Sequence, residues 1–259
     1  MSIAAVSGAD ARAKYSDDEW RVRLDLAACY RLVQHYGLSD LIYNHITAAV
    51  PGAEGQVLIN PYGLRYDEVT ASNLIRIDLA GNILEETPHE INPAGYVIHS
   101  AVHAARPDVK CVLHTHSRAG CAVSAMKRGL LPLDQQSMQF YNRVAYHDFN
   151  GFALDDEEKQ LLVANLGGKR AMILRNHGLL VAAGSVSEAF RLIFYLERAC
   201  QLQLDVLQTG EALHLPPDDI CEHTARQWES GAAGIGVGET REWPALLRML
   251  EADDPSFMT

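Results

Sequence analysis

A single α/β sandwich built on a largely antiparallel or mixed sheet is the fold class that this sequence predicts. Helical and strand-like periodicities alternate along the whole chain instead of falling into separate blocks. Strand-like runs are joined both by short turns and by helices, so hairpins and crossovers occur together. The chain's 259 residues, 48% of them hydrophobic, suffice for one large α/β domain or two small ones.

Ser16 followed three residues later by Glu19 makes a capping box, after which Trp20, Leu24, Ala27 and Val33 recur at helical spacing until Gly37. The expectation is an amphipathic helix over about 17–36. Leu41 to Val50 and Gln56 to Asn60 read as strands around the turn at 51–55. Ile75 to Leu79 alternates apolar and polar residues, then meets Ala80-Gly81-Asn82 and the apolar pair Ile83-Leu84, a β-hairpin pattern. Pro93 suits the first turn of a helix running to Ala105, with Val97, Ile98, Ala101 and Val102 on its apolar side. Arg106-Pro107-Asp108 ends it, and a short apolar strand from Cys111 follows. Ser117 to Met126 reads as helix, Gln139 to Ala145 as strand, and Asp155 to Leu166 as helix up to Gly167-Gly168. Ala171 to Leu174 and Leu179 to Ala182 read as strands flanking Arg175-Asn176-His177-Gly178. Ser185 with Glu188 then caps a long helix to about Leu207. From Thr209 onward the chain is richer in Asp, Glu, Pro and Gly. The expected organisation is therefore an N-terminal extension (1–16), a head domain (17–208) and a C-terminal extension (209–259) packed on the domain or on a neighbouring subunit.

The net charge of −11 and the sequence pI near 5.4 argue against a nucleic-acid surface, which needs clustered Lys and Arg. Acidity of this size is ordinary solubilising charge. Five scattered cysteines, Cys29, Cys111, Cys121, Cys200 and Cys221, read as reduced thiols of a cytoplasmic chain. No signal peptide is expected at the N-terminus, and no apolar stretch approaches the ~20 residues of a membrane span.

The chemistry-bearing stretch is Cys111 to Ser117. Residues i and i+2 of a strand share a face, so His114 and His116 present two imidazoles side by side with Thr115 opposite. Two neutral imidazoles suit zinc, iron, copper or nickel. His177, where a strand ends and the chain turns through Gly178, is the best candidate third ligand. Three histidines leave a coordination position for water or substrate, the catalytic arrangement. Spacing alone also allows three ordinary histidines.

The run from Asn92 to His116 (NPAGYVIHSAVHAARPDVKCVLHTH) resembles the centre of the class II aldolase/adducin family. Asn44 within Tyr43-Asn44-His45-Ile46-Thr47, the segment Ile59-Asn60-Pro61-Tyr62-Gly63, and Asn176-His177-Gly178-Leu179 match other blocks of that family in the same order. The resemblance spans roughly Asp17 to Leu207. It implies a three-layer α/β/α sandwich with a predominantly antiparallel central sheet, and commonly a homotetramer with active sites at subunit interfaces. It also implies one divalent metal per subunit, Zn(II) or Fe(II), held by His114, His116 and His177. Asn44, His45, Asn60 and Gly63 match loops that contact substrate in the family. His99 and His103, four apart on a helix, form a potential ligand pair by spacing, but the family pattern packs them beside the site.

One departure matters. Sugar-phosphate aldolases of the family begin the helix before the His-x-His strand with Ser-Ser-Glu, which holds the substrate phosphate and carries the proton. Counting back from His99, the matching positions here are Pro93, Ala94 and Gly95, none of which accepts a proton or donates a side-chain hydrogen bond. A phosphorylated sugar is therefore not the expected substrate. Replacement acid/base candidates are Glu90, His147, Tyr141 and Tyr146, each with a bland alternative as a solvated charge, a turn residue or a packing group. The leading expectation is a metal-dependent lyase acting on a small, non-phosphorylated hydroxy-carbonyl compound. The alternatives are a non-haem Fe(II) oxygenase of an aromatic or hydroxy-acid substrate, a chemistry that the scaffold also carries, and an adducin-like non-catalytic binding module.

Overall fold

A computed structural model describes residues 12–151, 156–231 and 241–259; of residues 93–95 and 156 only the backbone is described. The expected N-terminal extension lies outside the described residues up to residue 11. Helix α1 (Asp17–His35) begins at Ser16, whose hydroxyl accepts the Glu19 N–H at 3.2 Å, and Gly37 turns the chain away with φ +68°. Strands β1 (His45–Ala49), β2 (Gln56–Ile59) and β3 (Ile75–Asp78) follow as an antiparallel meander. The expected hairpin forms at β3, where Asp78 N–H donates to Asn82 O and Ile77 bridges Ile83. Then come α2 (Pro93–Ala105), β4 (Cys111–Thr115), α3 (Arg118–Ser124), β5 (Val144–His147) and α4 (Asp156–Leu166). The hairpin β6 (Ala171–Leu174) and β7 (Gly178–Ala183) leads into the long α5 (Val186–Gln208). Ser185 caps α5 by accepting the Glu188 N–H.

The seven strands form one sheet in the order β3-β2-β1-β4-β7-β6-β5, antiparallel except for the β5–β6 pair. Strand alternation sorts the core into two layers. Leu113, Val181, Ile173 and Ile46 face α1, α3 and α5. Val112, Leu180, Met172 and Ala145 face α2 and α4, meeting Val102, Leu162 and Leu166. This is the α/β/α sandwich with a mostly antiparallel sheet that the sequence suggested.

Two expected strands are corrected. The strand expected from Leu41 begins only at His45, because Leu41 adopts φ +49° in an exposed turn. The strand expected over Gln139 to Ala145 is a 3-10 turn at Ser137–Phe140 followed by β5. Asn142, at φ +58°, breaks the extended run between them.

Beyond residue 208 the described chain forms α6 (Asp218–Ser230), α7 (Glu242–Asp253) and a terminal 3-10 turn (Pro255–Met258). Arg143 holds α6 through Glu222 and Glu229, and Trp243 of α7 donates its indole N–H to Asp25 at 2.8 Å. Ala71 N–H donates to Phe257 O at 2.9 Å, Arg31 pairs with Asp254 at 2.7 Å, and the Phe257 ring is buried. Phe257→Ala is expected to cost about 3–5 kcal/mol, the usual range for an aromatic truncated in a core. The check is the urea midpoint, and an unchanged midpoint would show that the terminal turn is no part of the cooperative unit.

Candidate metal centre

The register of the sheet assembles the site. His45 on β1 lies directly opposite His114 on β4, and His114 lies opposite Leu180 on β7. His116, just past the end of β4, turns to the same side as His114, as the spacing of two requires. His177 comes from the tight β6–β7 turn, where its N–H donates to Leu174 O and Asn176 adopts φ +54°. The Cys121 thiol of α3 donates to the His177 carbonyl at 3.0 Å. The three ring nitrogens converge: His114 Nε2 lies 2.8 Å from His116 Nε2, which lies 3.0 Å from His177 Nε2. Among the described residues this is the one group of three potential ligands within 4.8 Å of one another.

The hydrogen bonds on the far side of two rings fix what meets in the middle. His114 Nδ1 lies 2.8 Å from the carbonyl of Leu179, which can only accept, so the Nδ1 carries the proton. His116 Nδ1 lies 2.9 Å from Asp40 Oδ2, and a carboxylate likewise takes a proton from Nδ1. Both Nε2 atoms therefore point lone pairs at each other across 2.8 Å, a contact that needs a cation, a proton or a metal ion, between them. Burial, then the neighbouring imidazoles, hold the His114 pKa well below that of an ordinary histidine. Burial, then His116, lower that of His177 to about 4. Three rings aimed at one point, two of them biased by burial towards the neutral form, make a donor set that suits a divalent metal with an open position.

The triad forms part of the wall of a cavity of about 540 Å³. Ile98, Phe149, Leu162 and Leu174 give it an apolar side, and Asp40, Asp148, Glu158 and Arg175 contribute charge. His45 also lines it, stacked on His99 with ring centres 4.3 Å apart. Thr47 links His99 Nδ1 (2.8 Å) and His103 Nε2 (2.9 Å). The helical histidine pair thus packs behind the site as the family pattern implied. Asn44 is buried beside His45, and its amide finds no hydrogen-bond partner among the described residues.

Of the acid/base candidates, His147 reaches the cavity. Glu90, Tyr141 and Tyr146 are not among the described residues that line it. Tyr146, on the opposite face of β5, accepts the Leu130 N–H and packs under Arg175. Tyr141 bonds to Asp218 of α6, which raises its pKa. Glu90 is exposed and offers its carbonyl to Tyr62 N–H. Asn60 is tied to the Tyr30 hydroxyl at 2.9 Å, and Gly63 forms an exposed turn with φ +94°.

Two carboxylates were not singled out by spacing. Asp40 orients His116. Glu197, buried on α5, accepts the Ser117 hydroxyl and the Gly120 N–H, thereby anchoring the chain immediately after His116. Asp40→Asn is expected to weaken Zn(II) binding about 10–100-fold, the usual effect of losing a carboxylate behind a ligand histidine. Competition titration against a chelating dye measures it, and unchanged affinity would remove Asp40 from the centre.

Residues 24–204 match the profile of the class II aldolase and adducin N-terminal domain. The chain belongs to this family. A Pseudomonas aeruginosa protein, provisionally named as a class 2 aldolase, is 49% identical over 252 residues, covering 96% of each chain. The crystal structure of an aldolase II superfamily protein from Pseudomonas syringae superposes with a TM-score of 0.91 at 47% identity, covering 96% of this chain and 100% of that one. Rat alpha-adducin is 44% identical over 249 residues, 92% of this chain but only 34% of that longer protein. The family thus joins proteins named as aldolases to adducins on one fold, and the residues of the site must decide between them.

Proposed function

We propose that the chain is a metal-dependent lyase that makes or breaks a carbon–carbon bond next to the carbonyl of a small, non-phosphorylated hydroxy-carbonyl compound. The observation that carries this reading is the convergence of three imidazoles on the wall of an open cavity, with Leu179 and Asp40 orienting two of them. His114, His116 and His177 would hold one divalent ion, Zn(II) or Fe(II). Such an ion supplies Lewis acidity, drawing electron density towards the carbonyl oxygen. Asp40 and the Leu179 carbonyl keep the ligand rings in register, and His45 lines the cavity where a substrate hydroxyl would arrive. The absent serines and the three carboxylates in the cavity, against the single Arg175, disfavour a phosphate dianion.

Identity with alpha-adducin favours a second reading, a non-catalytic binding module. Against it stand the complete histidine set and its orienting partners, which a binding module has no need to keep. An Fe(II) oxygenase uses the same ligands, and oxygen separates it from the lyase. Protein purified without chelators is expected to carry about one metal ion per chain. Turnover without oxygen uptake supports the lyase, and oxygen consumed with Fe(II) but not Zn(II) selects the oxygenase. A metal-free protein would sink both.

Residues 17–208 are proposed as the catalytic head, with 209–259 as an extension packed on it, in a cytoplasmic homotetramer with cavities at subunit interfaces. Tyr43 and Phe149, 51% and 50% exposed at the cavity, support an interfacial mouth. No helix among the described residues is long and apolar enough to cross a membrane. Light scattering should then return four times the chain mass of 28.5 kDa.

A further inference from the structure

Lyase chemistry at this centre needs a group that carries a proton, and the position occupied by glutamate in the sugar-phosphate aldolases is Gly95 here. We infer that Glu158, on the first turn of α4 and held by His147, is the acid/base of the reaction. This assignment rests on the lyase reading above.

Glu158 lines the same cavity as His114, His116 and His177, but enters it from a different layer of the sandwich. Its side chain is 13% exposed, so the carboxylate is largely shielded while remaining open to the cavity. His147 at the end of β5 brings it there. Its Nε2 lies 2.6 Å from Glu158 Oε1, and its Nδ1 lies 2.9 Å from the Asn165 amide nitrogen. An amide nitrogen only donates, so the ring proton of His147 sits on Nε2 and points at the carboxylate. Asn150 donates to the other oxygen, Oε2, at 3.1 Å. Glu158 is thus oriented from two sides while it borders the cavity. His147 reaches the cavity too, but both of its ring nitrogens are engaged, Nε2 by the Glu158 carboxylate and Nδ1 by the Asn165 amide.

The remaining carboxylates of the cavity are worse placed. Asp40 is committed to His116, and Asp148 is exposed beyond the end of β5. Position along the sheet supports Glu158 as well. β5 and β6 run parallel with His147 beside Leu174, and Arg175 N–H donates to His147 O at 2.8 Å. The strand end that holds Glu158 is therefore the neighbour of the turn that carries His177.

The step balances without another reactant. Glu158 carboxylate takes the proton of the substrate's β-hydroxyl, the Cα–Cβ bond breaks as that oxygen becomes a carbonyl, and the electron pair passes to the other fragment as an enolate. The proton on Glu158 then returns to the enolate carbon. One hydroxy-carbonyl gives two carbonyl compounds, and the carboxylate is regenerated. The reverse half of the same proton transfer predicts exchange of the α-hydrogens of an enolisable ketone.

The test uses the full chain loaded with Co(II) and hydroxyacetone as probe. Binding is read from the Co(II) absorption spectrum, and α-hydrogen exchange in D₂O is read by proton NMR. Wild type is expected to exchange. Glu158→Gln should slow exchange by about 10²–10⁴-fold, the usual contribution of a positioned acid/base, with metal content and the spectral response to hydroxyacetone unchanged. Glu158→Ala should recover part of the lost rate when formate is added, a response that a residue merely pinning α4 to β5 would not give. Exchange by Glu158→Gln at a rate near that of wild type, or no recovery with formate, overturns the assignment. Wild type that binds hydroxyacetone without exchanging it also overturns the assignment but leaves the metal centre standing. A chain that takes up no Co(II), or a Co(II) spectrum indifferent to hydroxyacetone, removes the lyase reading and this assignment with it.

Discussion

Replacing His116 with alanine is expected to abolish stoichiometric metal binding and turnover while leaving the fold intact. The ring is 26% exposed and, among the described residues, bonds to Asp40 and the two other histidines, so its removal opens no core cavity. What it removes is one of three donors, and the loss in affinity should exceed the ~10–100-fold expected for Asp40 behind it. Thermal unfolding reads both effects in one experiment. Zn(II) at a thousandfold excess over its Kd stabilises a folded protein by about 4 kcal/mol. At ~2–4 °C per kcal/mol for a domain of this size, the wild-type Tm should rise by roughly 8–16 °C. The Tm of His116→Ala should stay close to that of metal-free wild type, whether or not zinc is present. A variant that still gains this stability, or still turns over, would mean that the converging imidazoles are not the metal centre.

The parts of this centre that could be read from the sequence are those set by local periodicity. His-x-His on an apolar strand has only one arrangement in an extended backbone, and His177 beside Gly178 announced a turn at a strand end. The helix caps at Ser16 and Ser185 and the stop at Gly37 were equally local: each serine hydroxyl accepts the N–H three residues on, and Gly37 turns the chain at positive φ. Asp40, Glu158 and Glu197 gave no such signal. Asp40 and Glu197 act across the fold, 76 residues separating Asp40 from His116 and 80 separating Glu197 from Ser117, and Glu158 meets His147, 11 residues away, only once α4 packs back on β5. Each of the two misplaced strand boundaries has a non-glycine residue with positive φ, Leu41 in one case and Asn142 in the other. Apolar neighbours suggested extended chain, and tertiary packing imposed a turn.

The absence of a carboxylate at Gly95 and the presence of an intact triad pull the functional reading in opposite directions, and the geometry reconciles them. Adducin relatives show that this fold serves proteins other than aldolases. The far-side bonds to His114 and His116 leave their Nε2 atoms aimed at one point. Orientation of a ligand ring by a carbonyl or carboxylate is a device of metal sites. Under the proposed function, glycine at position 95 therefore bears on the proton carrier and the substrate, and not on the three histidines that would hold the metal.

Gly178→Ala is expected to be the most damaging single-methyl change near the site. A Cβ at this position would lie 2.3 Å from the carbonyl oxygen of Thr115, in the backbone of β4, and 3.4 Å from the ring of His114. A flexible side chain could move aside, but a strand in the middle of a seven-stranded sheet cannot do so cheaply. β7 must instead move away from β4 at the point where Leu179 pairs with Thr115, and the Leu179 carbonyl that fixes His114 moves with it. The expected cost is at the upper end of the ~1–3 kcal/mol typical of overpacking, or above it. That corresponds to a Tm lowered by roughly 5–10 °C. Zinc affinity should fall as well, because His177 precedes the displaced residue and His114 loses its fixed tautomer. Gly168→Ala is the control: nothing lies within 4 Å of its Cβ, and its φ lies outside the left-handed region. Its Tm should stay level or rise slightly. If Gly178→Ala matched this control in both Tm and zinc affinity, the close approach of β7 to β4 would not be what holds the three histidines together.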